Sequence, residues 1–153
     1  MAEPITFSSS TARINLPLLF SGQAQKEFFV NQALAIIDTL NGNTVSAVLA
    51  APPLDPVEGS CYLVGASPTD DWIDRSDQLA CRIGDSWHYI DPVEGMEIFD
   101  QASGQKVVYS SEWSRAVEPT EPSGGSVVDV EARSAIVELI AALSVAGVLP
   151  KPQ

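Results

Sequence analysis

The sequence predicts an α+β chain that is mainly β: an N-terminal helix, a small antiparallel β barrel or meander, a linker and a C-terminal helix. Three observations carry this reading. Apolar residues recur at helical spacing in two stretches near the ends, and between them, from Thr44 to about Ala116, the period falls to two. Turn residues punctuate the middle region roughly every eight to twelve residues. With 153 residues, 45% of them hydrophobic and 18% charged, the chain can hold one ordinary domain, or a compact domain plus an appendage.

Residues 1–15 form a polar arm with Pro4 and the run Ser8-Ser9-Ser10-Thr11, expected to be extended. Residues 16–43 carry the first helix. Pro17 fixes an extended entry, and Ser21 can cap a helix from about Gly22 onward. Phe29, Val30, Ala33, Leu34, Ile37 and Leu40 fall on one side as its core face, and Gly42 is expected as the left-handed residue that stops it.

Residues 44–117 are the antiparallel β domain, with candidate strands Ser60–Gly65, Leu79–Gly84, Ser86–Ile90, Met96–Asp100 and Lys106–Tyr109. Gly84-Asp85 and Ser103-Gly104 are hairpin turn signals. Within this region Asp55-Pro56-Val57-Glu58-Gly59 recurs word for word as Asp91-Pro92-Val93-Glu94-Gly95. The repeat predicts that a similar turn leads into a similar strand twice, with Pro setting the turn and Gly supplying the permissive backbone angle.

Residues 118–127 are a linker by composition, rich in Pro and Gly. Residues 128–149 then form a second helix, capped by Asp129 or Ser126 and ended by Gly147 and Pro150. Ala132, Ile136, Leu139, Leu143 and Ala146 step along it by four, three, four and three, with Ile140 widening the stripe. That is a heptad-like seam, and a helix this short is marginal alone in water. It should pack on its own domain or associate with its equivalents in other copies.

Eight basic against 20 acidic residues give a formal charge of −12. Phosphate binding draws its affinity from Lys and Arg, so this balance argues against nucleic acid, and equally against anionic membrane, as a partner. Met1–Ser10 lacks a basic region followed by an apolar run, and no apolar stretch reaches the roughly 18 residues of a spanning helix, so a soluble cytoplasmic product is expected. Cys61 and Cys81 have no metal-ligand spacing; buried free thiols are the expectation, a disulfide between neighbouring strands the alternative.

A catalytic constellation is missing from the sequence. His88, in Trp87-His88-Tyr89, reads as a satisfied strand residue, and no phosphate-cradling loop or nucleophile motif occurs. Asp70, Asp71, Asp74 and Asp77 around Trp72 lack the loop Gly and terminal Glu of a calcium loop and read as a solvated loop. No catalytic, metal or cofactor site is expected. Trp72 and Trp113, if exposed beside carboxylates, would make a sugar-stacking platform.

Thr11-Ala12-Arg13, Leu16-Pro17-Leu18-Leu19, Gly22-Gln23-Ala24-Gln25-Lys26-Glu27 and Asn31-Gln32-Ala33-Leu34 together resemble a family of unknown-function domains in bacterial phages, prophages and gene transfer agents. Its genes sit among virion structural genes. The likeness continues through Ala51-Pro52-Pro53, Glu58-Gly59, Tyr62-Leu63-Val64-Gly65, Trp72, Leu79-Ala80 and Trp87 to Trp113. Asp71 stands where the family usually has Gly, and Met96 where it often has an aromatic. The C-terminal helix is similar to the segment closing many phage head-fibre and decoration proteins.

The resemblance implies a non-enzymatic virion structural protein, made in the bacterial cytoplasm. It would be a capsid-attached head fibre, spike or decoration subunit, bound to capsid or other virion proteins. Self-association is expected, as a homotrimer by analogy with such appendages, with a pentamer as the rival. Its candidate interface residues are Gln23, Gln25, Asn31, Ile136, Leu139, Ile140 and Leu143. The alternative is a host-adhesion module that binds surface glycan through Trp72 and Trp113.

Overall fold

The computed structural model describes residues 10–11, 16, 18–19, 22, 26–120, 123–125 and 128–150. The expected Ser21 cap and the amides Gln23 and Gln25 lie outside the described residues. The fold is mixed α+β. Helix α1 (Lys26–Asn41) leads to eight strands: β1 (Thr44–Val45), β2 (Val48–Leu49), β3 (Cys61–Val64), β4 (Leu79–Ile83), β5 (Ser86–Ile90), β6 (Glu97–Asp100), β7 (Gln105–Ser110) and β8 (Glu112–Ser114). A 3₁₀ turn covers Asp70–Trp72, and α2 (Val130–Val145) closes the chain.

The strands form two four-stranded sheets, ordered β2-β3-β4-β5 and β1-β6-β7-β8, neither closed into the expected barrel. Each is an antiparallel meander with one short parallel strand at its edge: β2 runs parallel to β3, and β1 to β6. These edge strands were not expected from the sequence. They are two residues each, too short to show a period, and they belong to one extended segment, 44–49, that serves both sheets. Its first half accepts the Phe99 and Gln101 N–H groups on the Asn43 and Val45 carbonyls (2.7 and 3.0 Å); its second half accepts the Leu63 and Gly65 N–H groups on Ala47 and Leu49 (3.1 and 2.8 Å).

The repeated pentapeptide precedes an inner strand of each sheet, β3 in one and β6 in the other. Gly59 N–H donates to the Arg82 carbonyl and Gly95 N–H to the Tyr109 carbonyl, both at 2.9 Å; in return Arg82 N–H donates to Ser60 (2.8 Å) and Tyr109 N–H to Met96 (2.9 Å). The two glutamates do the same work. Glu58 Oε1 accepts the Gly84 N–H (3.0 Å) at the β4–β5 turn, and Glu94 accepts the Ser111 N–H (3.1 Å) and Ser110 hydroxyl (2.9 Å) at the β7–β8 turn. Both turn residues hold a left-handed angle, Gly84 at φ 60° and Ser111 at φ 63°. The repeat thus marks two equivalent three-stranded units, each with its carboxylate clamping its own hairpin.

The units stack in the same sense. Arg82 faces Trp87 as Tyr109 faces Trp113, so Trp87 and Trp113 occupy equivalent places. In the second unit the face bearing Ile98, Val107 and Trp113 packs on the back of the first unit, on Cys61, Leu63, Leu79 and Cys81. In the first unit the matching face (Tyr62, Ala80, Trp87) is covered instead by Trp72, from the β3–β4 connection.

Cys61 and Cys81 are directly opposed on β3 and β4, 4.1 Å apart at Cα, and are joined in a disulfide. This corrects the expectation of free thiols. Two-residue alternation puts both side chains on the same buried face, in the close pairing of an antiparallel ladder.

Two further expectations change. The left-handed residue after α1 is Asn43 (φ 42°), not Gly42. The apolar side of α1 is not a core face: Phe29 is 78% exposed, Ile37 53% and Val30 41%, and the helix reaches the main core through Leu40. At the other end, Asp129 caps α2 by accepting the Ala132 N–H (2.9 Å), and Gly147 stops it at φ 70°.

Candidate functional site

The polar head of α1 grips its own chain. Asn31 accepts the Leu19 N–H on Oδ1 (2.8 Å) and donates from Nδ2 to the Leu19 carbonyl (3.1 Å), so its amide holds the entering backbone at both groups. Glu27 is buried and accepts the Gly22 N–H (3.1 Å). Asn31, expected at a contact between copies, therefore has its hydrogen bonds satisfied within the chain.

Between α1 and the β4–β5 hairpin lies an open groove of about 620 Å³, lined by Phe28, Ala35, Asp38, Arg82, Ile83 and His88 among others. His88 stands opposite Cys81 on β5 and shows its side chain to this groove. Among the described residues no three His, Cys, Asp or Glu side chains converge as a metal site would require. Asp70, Asp74 and Asp77 have φ of 54°, 63° and 66°. Asp tolerates that region better than most residues, so these acids suit the turns of a tight loop.

That loop delivers Trp72, which is 0% exposed. Its ring meets Trp87 edge-on at 5.2 Å and Tyr62 at 5.9 Å. Tyr89 donates its hydroxyl to the Asp71 carbonyl (2.6 Å), and the Arg75 guanidinium lies 4.5 Å from the Tyr89 ring centre. Burial raises the Tyr89 phenol above its ordinary pKa; Arg75 works against that rise, and Asp71 adds to it. Trp72 was a candidate for a sugar-stacking platform on the condition that it is exposed. Its burial fails that condition, because a ring with no accessible face cannot stack on a ligand. Trp113 is half-buried, with its indole N–H donated to the Asp77 carbonyl (2.8 Å) and its ring against Tyr109 at 5.2 Å.

The second candidate surface is α2. Its C-terminal end is fixed: Lys106 N–H donates to the Gly147 carbonyl (2.7 Å), and the buried Gln105 amide donates to the carbonyls of Val148 (3.0 Å) and Ala116 (2.5 Å). Gly147 is required there, since an added Cβ would sit 2.9 Å from Phe99 Cε2. Before this anchor, from Val130 to Ala142, the helix is mostly exposed. Leu139 is 59% exposed, Ile136 41% and Val137 44%, while Ile140 and Leu143 are half-covered. Of the expected interface residues, Ile136 and Leu139 present open apolar surface, whereas Gln23 and Gln25 lie outside the described residues.

The fold and these surfaces define a two-sheet α+β domain that carries two helices with uncovered apolar faces. The chain belongs to a family of proteins of unknown function, DUF2793, whose model matches residues 30–114. The matched span opens inside α1 and ends with β8, so it takes in both repeat units and leaves out α2. No curated protein matches the chain. No helix among the described residues is long and apolar enough to cross a membrane.

Proposed function

We propose that this chain is a non-enzymatic structural protein of a virion, attached to the capsid as a head fibre, spike or decoration subunit of a tailed phage or gene transfer agent. The observation that carries the proposal is the contrast between a cross-linked β module and two helices left apolar toward solvent. An acidic, otherwise soluble surface that keeps Phe28, Phe29, Ile37, Ile136 and Leu139 open is built to meet other protein, because contiguous exposed apolar surface marks an interaction site. The resemblance of residues 11–113 to domains encoded among virion genes supplies the setting.

In this reading the helices are the contact elements, and the β module is a spacer or outward-facing head. A formal charge of −12 favours solubility of the outward surface. The test is to purify nuclease-resistant particles on a density gradient from cells that carry the gene. The chain should band with the DNA-filled particles in fixed ratio to the major capsid protein. Recovery wholly in the soluble fraction, at every stage of particle production, would defeat the proposal.

A further inference from the structure

We infer that α2 is the axis of a closed ring of three or more copies, its helices parallel and each flanked by two neighbours. This rests on the assembly reading above and specifies its geometry.

The argument begins with the circumference of α2. In heptad terms Ile136 and Leu143 take the a positions and Ala132, Leu139 and Ala146 the d positions. A two-stranded coil buries that a/d seam and keeps charges at the flanking e and g positions. Here the flanks are Ala135 and Ala142 on one side and Arg133 and Ile140 on the other. Arg133 is turned back, its guanidinium donating to the Gly124 carbonyl. The apolar face is therefore wide enough for two neighbours, and a single partner would leave one flank in water.

Size points the same way. Sixteen residues make a helix about 24 Å long, and one side-by-side contact covers a strip of roughly 240 Å² on each partner. A stable interface of standard size covers about 800 Å² per partner. A pair of α2 helices falls well short of that. A helix flanked on both sides doubles the strip to roughly 480 Å², closer to that size.

Charge selects a second copy as the occupant. The chain is strongly acidic, so copies repel over most of their surface, whereas α2 carries just Glu131, Arg133 and Glu138 in its 16 residues. It is the stretch along which like-charged chains can approach. Helices arranged around one rotation axis all run in the same direction, which makes the bundle parallel.

The test is light scattering on the full chain at about 0.15 M salt, where surface repulsion is screened. Wild type is expected at three or more times the chain mass of 16.3 kDa, and Leu139→Asp at the single-chain mass. Val93→Asp, at a loop position 61% exposed, should leave the ring intact. The near-ultraviolet circular dichroism of the Trp72 cluster reports whether Leu139→Asp still folds. In a separate variant, Ala132→Cys should give a disulfide between copies on oxidation, since like positions meet in a parallel bundle. A one-chain or two-chain mass for wild type, a ring that survives Leu139→Asp, or no cross-link at position 132 would each overturn the inference. Particle association is measured separately, so a chain that bands with particles but is monomeric in solution overturns the ring and leaves the virion reading standing.

Discussion

The two repeat units share a pentapeptide, a strand order and a carboxylate clamp, yet they are stabilised by different means. In the first unit Cys61 and Cys81 are bonded across β3 and β4, and Trp72 seals the outer face. The equivalent pair in the second unit is Glu97 opposite Val108, which carries no cross-link. That unit is held by polar contacts: buried Asp100 accepts the Ala102 N–H (3.0 Å) and pairs with Arg115 (3.3 Å), and Gln105 ties in the C-terminal turn. The difference follows from the stacking. The second unit's apolar face is already covered by the first, whereas the first has no neighbour there and must bring its own lid.

Removing the lid should have the largest effect. Trp72→Ala is expected to cost about 3–5 kcal/mol, the range for emptying a large aromatic from a closed core. Trp113→Ala, at the equivalent level of the second unit but half-buried, should cost clearly less. Urea unfolding of both variants checks the order, and equal costs would mean the two faces are not differently sealed. Next comes the cross-link. Its loop has a sequence separation of 20, for which a disulfide contributes about 3 kcal/mol. Reductant should lower the unfolding midpoint of wild type and leave a Cys61→Ala/Cys81→Ala variant unmoved. The smallest effect probes what the units share. Glu94→Ala, which loses two hydrogen bonds, should cost about 1 kcal/mol, and Glu58→Ala, which loses one, about half as much.

How much of this was legible in the sequence depended on the kind of signal. The pentapeptide showed a duplicated turn because Pro, Glu and Gly act locally; that the two copies head equivalent sheets became visible once partners distant in sequence were in place. The five candidate strands carried a period of two and were found within a residue or two. The edge strands were too short to show one, and the disulfide depended on a register that spacing alone does not reveal.

The apolar stripe of α1 misled for a different reason. Helical spacing identifies a face that avoids water, without saying whether the same chain covers it. Asn31 was a candidate for contact between copies, and its partner proved to be the backbone of Leu19. Trp72 and Trp113 could not be told apart by type, since burial is decided by which loop folds over which sheet.

The segment 44–49 has a consequence for the order in which the chain folds. Hairpins β4–β5 and β7–β8 join neighbours in sequence and can zip within microseconds. The segment is hydrogen-bonded to both units, to β3 at Cys61–Gly65 and to β6 at Phe99–Gln101, so its full set of partners exists only once a strand of each unit is in place. Closing β1 onto β6 also means ordering a loop of more than 50 residues, from Val45 to Glu97, a non-local step of the kind that slows folding. Just Gly42 and Asn43 separate that segment from α1. The first helix therefore takes its final orientation at the end of folding, so the apolar surface it offers to other molecules is set only when the module behind it is complete.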